Sequence, residues 1–105
     1  MVATVRIGTC SWADRGLLAA WYPRGVSTAE KRLRYYAERF DVVEVDSPYY
    51  ALPDPAVTER WARRTPDVFT FHVKASAAMT WHEGEPTDAA FHEFRAALEP
   101  LELSG

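Results

Sequence analysis

The sequence predicts an α/β chain of three strand–helix units whose strands all run parallel. Three observations lead there. Short apolar runs alternate three times with longer runs of helical period. The turns leading from each helix into the next strand are short, while the segments leading from strand to helix are long. Within each strand, an apolar set of side chains alternates with a polar set.

The first strand is read over Thr4–Cys10, TVRIGTC. Ser11 to Val26 follows as a long loop holding Trp12, Gly16, Trp21, Tyr22, Pro23 and Gly25. A loop of this length in a compact domain is functional or disordered, and its aromatic content argues for order. Ser27 and Glu30 form an S-x-x-E capping box that starts the first helix. Leu33, Tyr36, Ala37 and Phe40 recur at i, i+3, i+4 and i+7 and make its buried stripe. Asp41 marks the exit.

Val42–Asp46 is the second strand, and Ser47–Pro53 the loop after it. Asp54 suits an N-cap and Pro55 the first helical position. Val57 and Trp61 share one face of the second helix, which Thr65-Pro66 stops because a residue before proline avoids the helical region. Val68–Lys74, VFTFHVK, is the third strand, followed by a loop from Ala75 to Pro86. The third helix begins at Thr87 or Asp88, with a stripe of Phe91, Phe94, Leu98 and Leu101. Pro100 is expected to kink or end it.

Composition narrows the function classes. The 105 residues suffice for one small domain. A net charge of −3 gives the chain no general attraction to nucleic acid or anionic membrane. Lys31, Arg32, Arg34 and Arg39, and then Arg60, Arg63 and Arg64, interleave with glutamates on predicted helices and read as solvated outer faces. Cys10 is the single cysteine, so no internal disulfide forms, and the start lacks the apolar stretch of a signal peptide. No apolar run is long enough to span a bilayer. The expected compartment is the cytoplasm.

The alternation carries the architectural argument. Val5, Ile7 and Thr9, Val43 and Val45, and Phe69, Phe71 and Val73 are expected to face the helices. Arg6, Gly8 and Cys10, Glu44 and Asp46, and Thr70, His72 and Lys74 then share the other face. A doubly wound parallel sheet buries both faces and reads as near-continuous apolar runs. Helices on one side and a polar opposite face fit a closed barrel with charged groups near the C-terminal mouth.

Particular residues also carry a family resemblance. Ile7-Gly8-Thr9 followed by Trp12, then Trp21-Tyr22-Pro23, open the pattern. Tyr35-Tyr36, Phe40, Val43-Glu44, Ser47, Tyr50 and Pro53 form its most distinctive block. Trp61, Thr65-Pro66, Phe69, Phe71 and Val73-Lys74 make the next, and Thr80 with His82 the last. Together they resemble the N-terminal part of the YecE-like family of TIM-barrel proteins, a domain of unknown function. Cys10-Ser11, Asp46 and the intervening Trp81 depart from the family pattern. The resemblance implies that residues 1–105 are three βα units of a partial barrel, strand order 1-2-3, stopping before a fourth strand. Eight-stranded barrels need about 250 residues. The outer edges of the first and third strands are therefore expected to be open.

Glu44 and Asp46 are the sharpest candidates for chemistry. At i and i+2 they project to one side near a strand end, where acid–base pairs or cation ligands sit in barrels. The competing structural reading has Glu44 neutralising Arg6 or Lys74 while Asp46 caps a turn. His72 and Lys74 join them from the neighbouring strand, as general base and nucleophile or as a hydrogen-bonded histidine and an ion-paired lysine. Trp12, Tyr49, Tyr50, Thr80 and His82 are expected to form a ligand-contacting rim, Thr80 and His82 by the resemblance, with Trp21 packing the loop. The loop aromatics should all gather at one end of the sheet.

Glu44, Asp46, His72 and His82 match no compact metal motif such as H-E-x-x-H, so no metal is assigned, and the residues name no cofactor. Cys10 lacks a nucleophile elbow and reads as a small buried thiol. The preferred function is binding of a small polar or phosphorylated ligand at the barrel mouth, with acid–base catalysis. The alternatives are a nucleic-acid or phosphodiester-binding module without chemistry, which the charge disfavours, and a non-functional truncation product, expected to associate with itself or a partner chain through open sheet edges.

Overall fold

The computed structural model describes residues 3–103, with the side chain of residue 103 left aside. Three parallel strands form one sheet in the order β1-β2-β3. They are β1 (Thr9–Cys10), β2 (Val42–Val45) and β3 (Thr70–Val73), alternating with α1 (Ala29–Arg39), α2 (Pro55–Arg63) and α3 (Asp88–Leu103). Thr9 lies opposite Val43 and Cys10 opposite Glu44, while Glu44 lies opposite His72 and Val45 opposite Val73.

The predicted sidedness of the sheet holds at its centre. Val43, Val45 and Phe69 are buried against Tyr36 of α1, with Trp61 of α2, Phe71 and Val73 half-buried around them. Cys10, Glu44, His72 and Lys74 lie exposed on the opposite face. Among the described residues, helices therefore cover one side only. Apolar burial holds the two layers together at about 25 cal/mol per Å² removed from water.

The first strand departs from expectation. Only Thr9 and Cys10 pair with β2, where Thr4–Cys10 was expected, and Val5 and Ile7 are 79% and 71% exposed rather than under the helices. Tyr36 supplies the reason. Its buried hydroxyl accepts a hydrogen bond from the Thr9 amide at 2.8 Å and donates to the Val42 carbonyl at 3.0 Å. The hydroxyl is thus spliced into the ladder where a direct strand–strand bond would otherwise form, and residues 4–8 separate from β2. Gly8 sits at the point of departure, where a Cβ would lie 2.0 Å from the Val42 carbonyl oxygen.

Smaller corrections concern element ends. The N-cap of α1 is Thr28, whose hydroxyl accepts from the Lys31 amide, not Ser27 in a capping box. Glu30 is turned instead to Arg34, 3.0 Å away on the helix surface. Leu17–Trp21 forms a π-helical turn inside the segment read as loop. β3 begins at Thr70 rather than Val68, because the Phe69 amide is held in a turn by the Pro66 carbonyl. α3 runs through Pro100 to Leu103. A proline this close to a helix end removes one backbone bond and leaves the preceding turns intact.

The other boundaries fall as the residues predict. Asp54 caps α2 by accepting from the Ala56 amide at 2.8 Å, with Pro55 first in the helix. Thr87 caps α3 through the Ala90 amide. α2 and α3 are stitched by the buried Thr58 hydroxyl, 2.7 Å from the Ala97 carbonyl. Arg34, Arg39 and Arg63 face solvent as expected and pair with Glu30, Glu38 and Glu59, whereas Arg32 and Arg64 are half-buried, the Arg32 Nε without a hydrogen-bond partner.

Candidate functional site

The polar face of the sheet presents its candidates in two tiers. The lower tier is a row across all three strands. Cys10, Glu44 and His72 stand side by side because they are register partners. They line a concavity of about 270 Å³ with Arg6, Gly8 and Val42. Arg6 donates to the Thr70 hydroxyl at 2.6 Å, across the start of β2. The concavity is thus lined by one cation, Arg6, and one carboxylate, Glu44.

One residue beyond the end of β2 stands Asp46. Oxygens of Glu44 and Asp46 and the Cys10 sulfur lie within 4.8 Å of one another. One Asp46 oxygen, Oδ1, is buried without a hydrogen-bond partner. A hydrogen bond to the neighbouring Asp46 carboxylate, reinforced by repulsion from its charge and by burial, raises the Glu44 pKa above the ordinary glutamate value. Lys74 and Cys10 oppose that shift without cancelling it. The Cys10 thiol is pushed up as well, chiefly by the charge of Glu44 and then by burial. Two carboxylates sharing a site in this way favour holding one proton between them.

The upper tier is the rim. The Lys74 ammonium lies 4.7 Å over the Tyr49 ring. Tyr49 meets Tyr50 edge-on at 5.0 Å and His82 at 5.6 Å. The Thr80 hydroxyl is 2.6 Å from His82 Nδ1, which fixes the imidazole against the tyrosine. Tyr50 is 81% exposed and stands clear of the sheet. A cation, an imidazole and two aromatic faces therefore gather next to the carboxylates.

These contacts bear on the structural reading of the carboxylates. Glu44 makes no ion pair with Arg6 or Lys74 among the described residues; Arg6 is bonded to Thr70 and Lys74 is drawn to Tyr49. Asp46 opens the turn Ser47–Tyr49 through its backbone carbonyl, and its side chain makes no capping bond.

The rest of the expected site is distributed differently. Trp12, expected at the rim, packs edge-on against Trp61 at 5.2 Å and Phe71 at 6.2 Å, in the layer between sheet and helices. The loop aromatics do not form one platform. Trp21 and Tyr22 pack with Tyr35, and Trp21 with Phe40, over α1. Trp81 is exposed with a positive φ of 66°. Cys10, expected as a buried thiol, is exposed beside Glu44. The signal for it was present in the alternation, which sets Cys10 on the face of Glu44 and His72.

Of the donors able to hold a cation, the described residues bring together Cys10, Glu44 and Asp46. His72 and His82 stand outside that triplet.

Comparison with known proteins bears on the whole chain. The family model for a protein of unknown function, DUF72, matches residues 6–105. Among curated relatives, the UPF0759 protein YunF of Bacillus subtilis is 35% identical over 101 residues, covering 91% of this chain and 34% of that protein. The UPF0759 protein YecE of Escherichia coli K12 is 34% identical over 98 residues, covering 92% and 33%. A crystal structure of a DUF72 family protein from Enterococcus faecalis V583 superposes with a TM-score of 0.66 over 94% of this chain and 35% of that one, at 21% identity. The chain thus spans about a third of the length of the relatives it matches. No helix among the described residues is long and apolar enough to cross a membrane. With nearly its whole length matched, this chain belongs to the DUF72 family, whose molecular function is unknown.

Proposed function

We propose that residues 1–105 supply three βα units of a YecE-like barrel domain, and that their polar sheet face is part of the wall of its ligand site. The ligand is a small polar or phosphorylated molecule held at the C-terminal end of the strands. Lys74, His82 and the faces of Tyr49 and Tyr50 receive it, with Thr80 orienting His82. Glu44 and Asp46 share the acid–base role. His72 stands beside Glu44 to relay or accept a proton. The reading places the protein in the cytoplasm, where an exposed thiol such as Cys10 stays reduced.

One observation carries the proposal. Two carboxylates are kept close together, without a cationic side chain bonded to Glu44, on the face of the sheet that no helix covers. Holding such a pair costs stability through repulsion, and a fold that tolerates the cost commonly uses it.

The test is a ligand titration by NMR on the isotope-labelled chain, with inorganic phosphate, sugar phosphates and the matching neutral sugars. Saturable shifts should gather on Glu44, Asp46, His72, Lys74 and Tyr49. Glu44→Gln should weaken them while leaving the spectrum folded. Shifts confined to the outer helix arginines, or binding unchanged in Glu44→Gln, would sink the assignment.

A further inference from the structure

The helical layer carries a charge pattern that the polar sheet face does not explain. α1 and α2, with Arg64 at the α2 end, hold seven of the twelve Lys and Arg residues and three of the fifteen Asp and Glu residues. The chain as a whole carries −3, so this positive charge is local. Between the two helices lies a groove of about 420 Å³, lined by Arg34 and Glu38 of α1 and by Arg63, Arg64 and Pro66 at the end of α2. Its walls are successive helices, and no strand residue lines it. A volume of this size falls in the range of small-molecule sites, about 300–1,000 Å³. Pro66 precedes β3, so the groove lies toward the start of that strand, away from Tyr49 and His82, which follow the strand ends.

Arg64 differs from its neighbours. Its side chain is 19% exposed. Each of the three glutamates on these helices is held by another arginine: Glu30 by Arg34 at 3.0 Å, Glu38 by Arg39 at 3.2 Å, and Glu59 by Arg63. The Arg64 Nε comes only to 4.0 Å from the Glu30 oxygen that Arg34 already holds. The Arg64 guanidinium makes no hydrogen bond among the described residues. A guanidinium keeps its charge and carries five N–H donors, so covering one without partners is costly unless an anion completes it. Attraction to the negative end of a helix accounts for Arg60 and Arg63 in the last turn of α2. It does not account for Arg34, which lines the groove from the middle of α1.

We propose that this groove binds the phosphate group of a small molecule, with Arg64 as the anchor and Arg34 and Arg63 turning to it from their glutamates. Guanidinium forks match phosphate oxygens in pairs. The Arg34–Glu30 and Arg63–Glu59 pairs are exposed, and exposed pairs of this kind are weak enough to exchange partners. A phosphate held there would bridge α1 to α2. A small ligand is favoured over a polyanion because a chain at −3 repels a long run of phosphates, while a local groove accepts one. The groove shares no residue with the proposed ligand contacts on the polar sheet face, so the two sites can be tested apart.

NMR titration of the isotope-labelled chain with inorganic pyrophosphate tests it through the arginine Nε–Hε signals. At fixed ionic strength Arg64 and Arg34 should shift saturably, and Arg95 on α3 should not. Binding should weaken when sodium chloride is raised. Arg64→Gln should weaken it about tenfold, the worth of one charge-assisted contact. Arg34→Gln, at an exposed position, should act in the same direction and decides alone if Arg64→Gln does not fold. No saturable shift at Arg64, equal shifts at Arg64 and Arg95, or an unchanged affinity in either folded variant overturns the proposal. So does a single-stranded oligonucleotide that binds the groove where pyrophosphate does not.

Discussion

Tyr36→Phe removes one oxygen from the centre of the fold, and its cost can be worked from the structure. The ring is fully buried, and phenylalanine keeps its packing against Phe40 and Phe69. Lost are the bonds from the Thr9 amide at 2.8 Å and the Thr9 hydroxyl at 3.1 Å, and the bond to the Val42 carbonyl at 3.0 Å. Leaving a buried donor or acceptor without a partner costs about 1–3 kcal/mol. Thr9 is half-buried, so water can reach part of the gap, and the loss should fall at about 1.5 kcal/mol. With a urea slope of about 1.5 kcal/mol/M, the unfolding midpoint should drop by about 1 M. Tyr35→Phe is the control, since the Tyr35 hydroxyl has no hydrogen bond to protein among the described residues. Amide exchange should quicken at Thr9 and Ser11 and change little on α3. A Tyr36→Phe midpoint equal to that of Tyr35→Phe would refute the role given to this hydroxyl in joining β1 to β2.

Three further outcomes follow from the packing and the charges. Gly8→Ala should destabilise by about 1–3 kcal/mol in urea unfolding, because its Cβ meets the Val42 backbone and not a side chain that can swing away. Thr58→Val keeps the volume but strips the Ala97 carbonyl of a buried donor, and should cost about 1 kcal/mol in the same assay. Glu44→Gln should raise the melting temperature at neutral pH and leave it unchanged at pH 3. The sign follows from the raised pKa: the folded state binds the Glu44 proton more tightly than the unfolded chain, so the Glu44 contribution is greatest at low pH. It is lost as pH rises through the folded-state pKa, a loss that the neutral glutamine escapes. Differential scanning calorimetry across that range reads the effect directly.

How far the sequence could be read varies with the range of the interactions. Period-two alternation put Val43, Val45 and Phe69 on one side and Glu44, His72 and Lys74 on the other, because that sidedness is a local property of a strand. The caps at Asp54 and Thr87 are equally local. What local patterns missed depends on partners distant in sequence. Val5 and Ile7 have the alternation of a buried strand, but a hydroxyl 27 residues away from Thr9 interrupts the ladder before them. Trp12 has the loop position of a rim residue, yet the rings of Trp61 and Phe71 offer it a place under the helices. In the candidate site, the closeness of Glu44 to Asp46 was legible from their spacing. The approach of Cys10 follows from strand register, and the docking of Lys74 and His82 on Tyr49 from how two loops pack.

The account rests on Glu44 and Asp46 sensing one another on an uncovered sheet face. Carboxyl-detected NMR titration of the wild type and of Asp46→Asn measures this directly. Glu44 should titrate above the ordinary glutamate range in the wild type and move back toward it when the Asp46 charge is removed. A Glu44 that titrates in the ordinary range in both proteins would contradict the shared-proton pair and the site built around it.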